Sequence, residues 1–202
     1  MKLETNGLHP LFGVEVHNVD LREVTQDHLY QPIRELFEAS SLLLFRNQTL
    51  DDGALIAFAE LFGPIENRDK GQWGRPREST AKVSNLGEDG EPMDEASKHV
   101  LHLKANQLWH TDSTFLPVPA LANVITALTV PSTGGETELA TSRAALKEMP
   151  YGLRKRAESI VVRHRYAQSR EQIDPELANE ELFTMWPEQR WRAVWPNPVN
   201  GE

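Results

Sequence analysis

The sequence predicts a mainly β fold, with an antiparallel β core and helices flanking it on the outside. Two observations carry this prediction. Segments with strand-like patterns outnumber segments with helical patterns, and the two kinds do not alternate as repeated βαβ units require. The length of 202 residues, of which 39% are hydrophobic, predicts one large domain spanning 1–202, with two small domains as the alternative.

The predicted elements follow one another along most of the chain. In chain order they are a strand over 12–21, a helix over 26–40, a strand over 41–45, a helix that opens at Asp51 and stops at Gly63-Pro64, strands over 82–86 and 122–130, two helices within 142–159 and a strand over 160–166. Val14 and Val16 alternate with polar residues, which is the period of a pleated sheet. The helix over 26–40 keeps its apolar side chains on one face, and Thr25 or Asp27 is its candidate N-cap.

Charge and composition exclude several classes of function. The net charge of -9 is a poor electrostatic match for nucleic acid. The chain has no cysteine, which excludes disulfides, thiolate zinc sites and cysteine-ligated iron–sulfur clusters. No apolar run has the length of a membrane span, and the first residues lack a secretory apolar segment. We therefore predict a cytoplasmic protein that binds neither nucleic acid nor membranes.

The segment ANQLWHTDSTF contains a His-x-Asp pair, His110 and Asp112. On an extended backbone this spacing sends both side chains to the same face, because side chains alternate with period two. One imidazole nitrogen and one carboxylate oxygen can then reach a single ion. Joined by a second His from elsewhere, such a pair forms the facial triad of non-haem Fe(II) oxygenases. A polar pair at the end of a strand is the alternative interpretation of the motif taken alone.

Other motifs occur with this pair in a characteristic order. The composite of WHTDSTF, a gap and PSTGGET (131–137) resembles the TauD/TfdA family of Fe(II)- and 2-oxoglutarate-dependent dioxygenases. The resemblance extends over nearly the whole chain through LHPLFGVEVHNVDLRE, LLLFRNQTLDDGALIAFAELFGPIE, KVSNLGEDG and EMPYGLRKRAESIVVRHRYAQSR. It implies a double-stranded β-helix, or jelly roll, with flanking helices.

The resemblance also implies a set of site residues. His110 and Asp112 correspond to two of the three iron ligands, and Fe(2+) is the implied cofactor, with 2-oxoglutarate and O2 as co-substrates. Thr137 matches the family's Thr, whose hydroxyl helps to hold a carboxylate of 2-oxoglutarate. Asn106 matches an Asn that lines the pocket for substrate and co-substrate. An Asn at this position that satisfies local backbone is the alternative.

The resemblance further implies a small organic acid as the substrate. Hydroxylation next to a heteroatom can break an ether or C–S bond, so aryloxyalkanoates and sulfonates are the implied types. The acidic segment 87–104, which begins with the loop 87–99, corresponds to a stretch that the family uses as a mobile cover over the substrate, and His102 is the candidate substrate-facing residue there. Lys70, Arg75 and Arg77 could meet a substrate carboxylate, with exposed surface cations as the alternative. We expect Trp109 and Phe115, which flank the ligand pair, to pack around the site and keep it dry.

One part of the implied site is absent from the sequence. The family uses a second iron-binding His and, shortly after it, an Arg that pairs with the far carboxylate of 2-oxoglutarate. Counted from His110, both should lie well past Glu202, and the only His between Thr137 and Glu202 is His164, within a basic segment. We therefore expect the N-terminal and central part of a family domain, incomplete at the C-terminus because its closing strands are missing. A homo-oligomer that shields the open sheet edges is the alternative.

Two other classes of function remain open at this point. One is a catalytically incomplete jelly-roll binding or structural protein that lacks the third iron ligand. The other is metal-assisted hydrolysis at a jelly-roll metal site. Metal-dependent production of succinate separates the enzyme from the first, and dependence on O2 and 2-oxoglutarate separates it from the second.

Overall fold

The computed structural model describes residues 2–66, 80–179 and 185–201. The strands of this part are β1 Glu4–Gly7, β2 Val14–His17, β3 Leu43–Phe45, β4 Val161–His164 and β5 Gln189–Arg192. Its helices are α1 Tyr30–Ser40, α2 Asp52–Glu60, α3 Lys98–Lys104, α4 Ser142–Glu148, α5 Tyr151–Ser159 and α6 Tyr166–Ile173, with short 3₁₀ helices at Leu21–Glu23, Ala105–Gln107 and Pro175–Leu177. The chain divides into two compact units. Unit 1 comprises Met1–Ile65, Val124–Ser159 and Val194–Glu202, and unit 2 comprises Glu66–Asn123 and Ile160–Ala193.

Unit 1 contains a three-stranded sheet in the order β1-β2-β3. β1 and β2 are antiparallel, whereas β2 and β3 are parallel, with Val14 opposite Leu43 and Val16 opposite Phe45. Parallel neighbours cannot be joined by a tight turn, so the chain crosses over through α1 between them. The prediction of an antiparallel core without βαβ units is therefore wrong for this sheet.

The core of unit 1 forms where α1 and α2 pack on the sheet. Ile33 of α1 is fully buried, and Val16 and Phe58 belong to the same cluster. This confirms the predicted apolar face of the first helix. Its predicted cap is wrong, however. Backbone hydrogen bonds join Thr25 to His28 in both directions (2.9 and 3.0 Å), and the helix begins only at Tyr30.

The second helix is predicted correctly at its start. The Asp51 carboxylate accepts a hydrogen bond of 2.7 Å from the Ala54 amide, which satisfies one of the free N–H groups of the first turn. α2 ends at Glu60, three residues before the Gly63-Pro64 stop signal. The local sequence is sufficient to predict this N-cap because Asp51 and Ala54 are only three positions apart.

Glu38, near the end of α1, is a buried carboxylate that connects distant parts of unit 1. Its carboxylate accepts hydrogen bonds of 2.8 Å from both Arg34 and Asn197. Its backbone carbonyl accepts further bonds from Arg143 (2.7 Å) and Asn200 (3.3 Å). The last two bonds satisfy the Glu38 carbonyl, which lies at the helix C-terminus and has no partner within the helix.

Two predicted strands, 82–86 and 122–130, are not strands in the structure. Among the residues described, only an isolated bridge from Leu86 to Pro92 pairs either segment. Ile125, Leu128 and Val130 are each about three-quarters exposed. β-branched residues favour a pleated backbone, yet a strand forms only where a second strand accepts its hydrogen bonds. The jelly roll implied by the resemblance stays a prediction, since the described strands form one three-stranded and one two-stranded sheet.

Unit 2 contains the antiparallel pair β4 and β5, in which Val161 lies opposite Arg192 and His164 opposite Gln189. The predicted strand over 160–166 is confirmed by β4. β5 was not predicted, because its sequence has no apolar alternation. The hydrophobic cluster of this unit centres on Ala167 and Trp186. Among the helices described, none is long and apolar enough to cross a membrane.

Candidate active site

His110 and Asp112 meet side by side in unit 2. Nε2 of His110 lies 3.1 Å from Oδ1 of Asp112, and both side chains are about half exposed. The segment is not part of a paired strand; it leads into a turn in which the Leu116 amide donates to the Ser113 carbonyl (2.9 Å). The predicted same-face arrangement of the pair is therefore observed, although on a loop.

A backbone carbonyl fixes the tautomer of His110. Nδ1 lies 2.6 Å from the Leu108 carbonyl oxygen, which can only accept, so Nδ1 carries the proton. Nε2 then presents a lone pair to a carboxylate oxygen. The contact between Nε2 and this oxygen is attractive only when a cation, either a proton on Nε2 or a metal ion, lies between the two atoms. A His whose second nitrogen donates to a carbonyl is the usual arrangement in metal sites.

The distance between these atoms fits two neighbouring positions of an octahedral ion. With bonds of about 2.1 Å, such ligand atoms lie about 3.0 Å apart. A nitrogen and a carboxylate oxygen are also the donor types of the non-haem Fe(II) facial triad. A third protein ligand is not found nearby: among the residues that the structure describes, no group of three or more His, Asp or Glu could hold a metal ion.

The loop that carries the pair is held by groups from distant parts of unit 2. Ser113 is buried, and its backbone adopts the left-handed conformation (φ 62°). Its hydroxyl donates a hydrogen bond to the Glu66 carboxylate. The Thr114 hydroxyl pairs with Nδ1 of His164 (2.7 Å), and the Thr114 carbonyl accepts from the Trp191 indole (2.7 Å). His164 and Trp191 lie on the paired strands β4 and β5. The small sheet of unit 2 therefore fixes the position of the ligand loop.

His102 and Asn106 occupy one side of a continuous helical segment. His102 lies in α3, which continues into the 3₁₀ helix Ala105–Gln107, so the two residues are one turn apart. The helix begins after Ser97, whose hydroxyl accepts from the Val100 amide (3.3 Å). The acidic loop prediction thus holds up to Ser97 and is wrong beyond it, because this cap starts a helix.

An arginine lies between these two residues and the core of unit 2. Arg170 stacks over the Tyr166 ring, with Cζ 3.9 Å from the ring centre, and donates to Oδ1 of Asn106 (3.3 Å). The amide NH2 is then the group that Asn106 can offer to a ligand. Burial lowers the pKa of His102, and the positive charge of Arg170, then those of His99 and Lys98, lower it further. His102 is therefore neutral at physiological pH.

Thr137 lies in unit 1, in the exposed segment that follows the Gly134-Gly135 turn. Both glycines have positive φ (76° and 74°), a conformation that glycine adopts without the steric cost that a Cβ brings. A Cβ at Gly135 would lie 3.1 Å from the Pro131 ring, which leaves little room for a side chain. The role of Thr137 towards 2-oxoglutarate stays a prediction.

The aromatic residues that flank the pair differ in their packing. Phe115 packs against Tyr166 and Trp186 with ring centres 4.9 and 5.6 Å away, as expected. Trp109 is 70% exposed, so its predicted packing role is wrong in this structure. The basic candidates Lys70, Arg75 and Arg77 lie outside the described residues.

Sequence reasoning missed several residues around the site. Asn123 donates a hydrogen bond of 2.7 Å to Oδ2 of Asp112, and Thr114, His164, Trp191 and Glu66 hold the loop. The sequence places His164 only within a basic segment, whereas the structure pairs its Nδ1 with the Thr114 hydroxyl. No local pattern marks these residues, because their partners lie 11 to 77 positions away in sequence.

Comparison with known proteins identifies the family. The family model described as "Taurine catabolism dioxygenase TauD, TfdA family" matches residues 4–202. The alpha-ketoglutarate-dependent 2,4-dichlorophenoxyacetate dioxygenase of Cupriavidus pinatubonensis is 33% identical over 205 residues, covering 100% of this chain and 71% of the relative. The (S)-phenoxypropionate/alpha-ketoglutarate-dioxygenase of Sphingobium herbicidovorans is 34% identical over 167 residues, covering 81% of this chain and 54% of the relative.

The structure of this chain is also similar to a solved structure. The crystal structure of AAD-2 in complex with Mn(II) and N-oxalylglycine is similar with a TM-score of 0.85 and 29% identity, covering 100% of this chain and 71% of that one. The chain therefore belongs to the TauD/TfdA family. It is a 2-oxoglutarate-dependent non-haem iron dioxygenase, whose cofactor is Fe(II) and whose co-substrates are 2-oxoglutarate and O2.

Proposed function

We propose that this enzyme hydroxylates a small organic acid and that His110 and Asp112 are two of its three iron ligands. The 3.1 Å approach of Nε2 to Oδ1 is the observation that carries the assignment. Bound there, Fe(II) supplies the oxidative chemistry for which 2-oxoglutarate and O2 are consumed. The Leu108 carbonyl keeps the proton on Nδ1 of His110, so Nε2 stays available to the metal.

Three further residues are proposed to bind the organic molecules. Thr137 donates its hydroxyl to a carboxylate of 2-oxoglutarate. Asn106 offers its amide NH2, because Arg170 occupies its oxygen. His102, neutral and half-buried, faces the substrate, and its buried Nδ1 has no hydrogen-bond partner within the described part of the chain.

The proposed substrate class is the aryloxyalkanoates, with sulfonates as the second type. Two relatives are named for 2,4-dichlorophenoxyacetate and (S)-phenoxypropionate, both ether-linked acids. Hydroxylation of the carbon next to the ether oxygen would release a phenol. We further propose that the enzyme acts in the cytoplasm and binds no nucleic acid, and a homo-oligomer stays a prediction.

The proposal is tested by measuring succinate production with Fe(II), 2-oxoglutarate and O2 against a panel of acids. The panel contains phenoxyacetate, both enantiomers of 2-phenoxypropionate, and alkyl sulfonates. We expect an aryloxyalkanoate to stimulate succinate production and to yield one phenol per succinate. Stimulation only by a sulfonate would contradict the first substrate class. Binding of an acid without any turnover would instead support the catalytically incomplete alternative.

Thr137→Val is expected to raise the KM for 2-oxoglutarate with little effect on the fold. The substitution keeps the side-chain volume and removes one hydrogen bond to a charged group, worth at most about 1.5–3 kcal/mol. That limit corresponds to an increase in KM of at most about 10- to 150-fold. Thr129→Val is the matched control, since Thr129 is also exposed and lies a few residues before the turn. An unchanged KM would show that Thr137 does not bind the co-substrate.

The cover segment is expected to exchange amide hydrogens faster over 87–97 than in α3. The loop is rich in glycine and carboxylates and has little apolar surface to bury, whereas Val100 of α3 is buried. Substrate should protect the loop, as lids close over bound ligands. Hydrogen exchange with and without an aryloxyalkanoate measures both effects. Equal protection of loop and helix in the free protein would contradict a mobile cover.

A further inference from the structure

Asn123 contacts the proposed iron ligand Asp112 at the carboxylate oxygen that does not face His110. Its side-chain nitrogen lies 2.7 Å from Oδ2 of Asp112. A carboxylate only accepts hydrogen bonds, so the amide must present its NH2 group there. The bond is charge-assisted and short, and bonds of this kind are stronger than those between neutral groups.

The two oxygens of Asp112 therefore have different partners. Oδ1 faces Nε2 of His110 at 3.1 Å, and Oδ2 accepts from Asn123. If the carboxylate turned both oxygens towards an ion beside His110, Oδ2 would have to leave Asn123 and lose this bond. The contact thus favours coordination through Oδ1 alone.

We propose that Asn123 is a positioning residue that keeps Asp112 a monodentate iron ligand. This inference rests on the proposed roles of His110 and Asp112. Its consequence is an open coordination position, because a carboxylate that binds through both oxygens would occupy one more site on the ion. A facial triad needs its three remaining positions for the co-substrates. Groups that orient a ligand from the outer shell commonly change metal affinity by about 10- to 100-fold when they are removed.

The test uses Mn(II) as the probe and all 202 residues of the chain. Asn123→Ala should weaken Mn(II) binding about tenfold or more. It should also lower the water-proton relaxation enhancement per bound Mn(II), because a bidentate Asp112 displaces a coordinated water. Asn123→Gln keeps an amide donor on an exposed side chain and should recover part of both signals. Asn85→Ala is the matched control, the same change at another exposed asparagine of unit 2.

The outcomes separate this inference from the function on which it rests. If Asn123→Ala matches Asn85→Ala in affinity and in relaxation enhancement, Asn123 does not position the ligand and the inference is wrong. Weaker binding with an unchanged relaxation enhancement would overturn the monodentate role. If His110→Ala and Asp112→Ala retain normal Mn(II) affinity, the metal site itself is misplaced. Thermal unfolding of each variant shows whether a lost signal reflects loss of the fold.

Discussion

Asp112→Ala is expected to abolish Fe(II) binding and all 2-oxoglutarate turnover. Asp112 is the only anionic side chain of the proposed ligand set, so its loss removes both a donor atom and the charge that offsets the cation. His110→Ala should act in the same direction through loss of Nε2. Anaerobic titration with Fe(II), followed by a succinate assay, measures the two effects.

The fold should survive this substitution. The Asp112 side chain is 52% exposed, so its removal leaves no buried cavity. Asp27→Ala is a suitable control because it removes the same charge from an exposed position in unit 1. Normal iron affinity and turnover in Asp112→Ala would exclude the residue from the metal site.

Glu38→Ala is expected to lower the free energy of unfolding by about 3 kcal/mol. Removing one partner of a buried ion pair leaves the other charge uncompensated, and losses of this kind are commonly about 3–5 kcal/mol. The lower value suits Glu38, because its partner Arg34 keeps about a fifth of its side chain in contact with solvent. The Asn197 amide would lose its acceptor as well. Urea unfolding at neutral pH measures the change, and a loss below that of the control Glu35→Ala would contradict it.

The same carboxylate makes stability depend on pH. Burial acts to raise the pKa of Glu38, but hydrogen bonds from Asn197 and Arg34, with the charges of Arg34 and Arg143, lower it below the usual 4.5. The stabilisation of the folded protein by ionised Glu38 is therefore complete above about pH 4.5. It is lost as the pH falls through the pKa that Glu38 has in the folded state. Glu38→Gln should show a weaker fall in stability over this acidic range, whereas Glu35→Gln should follow the unaltered protein. Equal pH dependence in both variants would show that Glu38 does not contribute.

Features that depend on near neighbours were predictable from the sequence. The apolar face of α1, the Asp51 cap of α2 and the glycine turn before Thr137 each involve residues a few positions apart. The His-x-Asp spacing belongs to the same class, since two positions are enough to bring Nε2 and Oδ1 together. The motif order also predicted the family, which the match over residues 4–202 confirms.

The tertiary structure alone decided which segments pair and which groups hold the site. The residues over 122–130 have the composition of a strand but pair with no other strand among the described residues, whereas β5 lacks a strand pattern and pairs with β4. Asn123 reaches Asp112 only because the chain folds back on itself. Glu38 and Asn197 meet although they are 159 positions apart in sequence. Hydrogen bonds between distant segments depend on where the whole chain places each partner, and a local pattern carries no information about that placement.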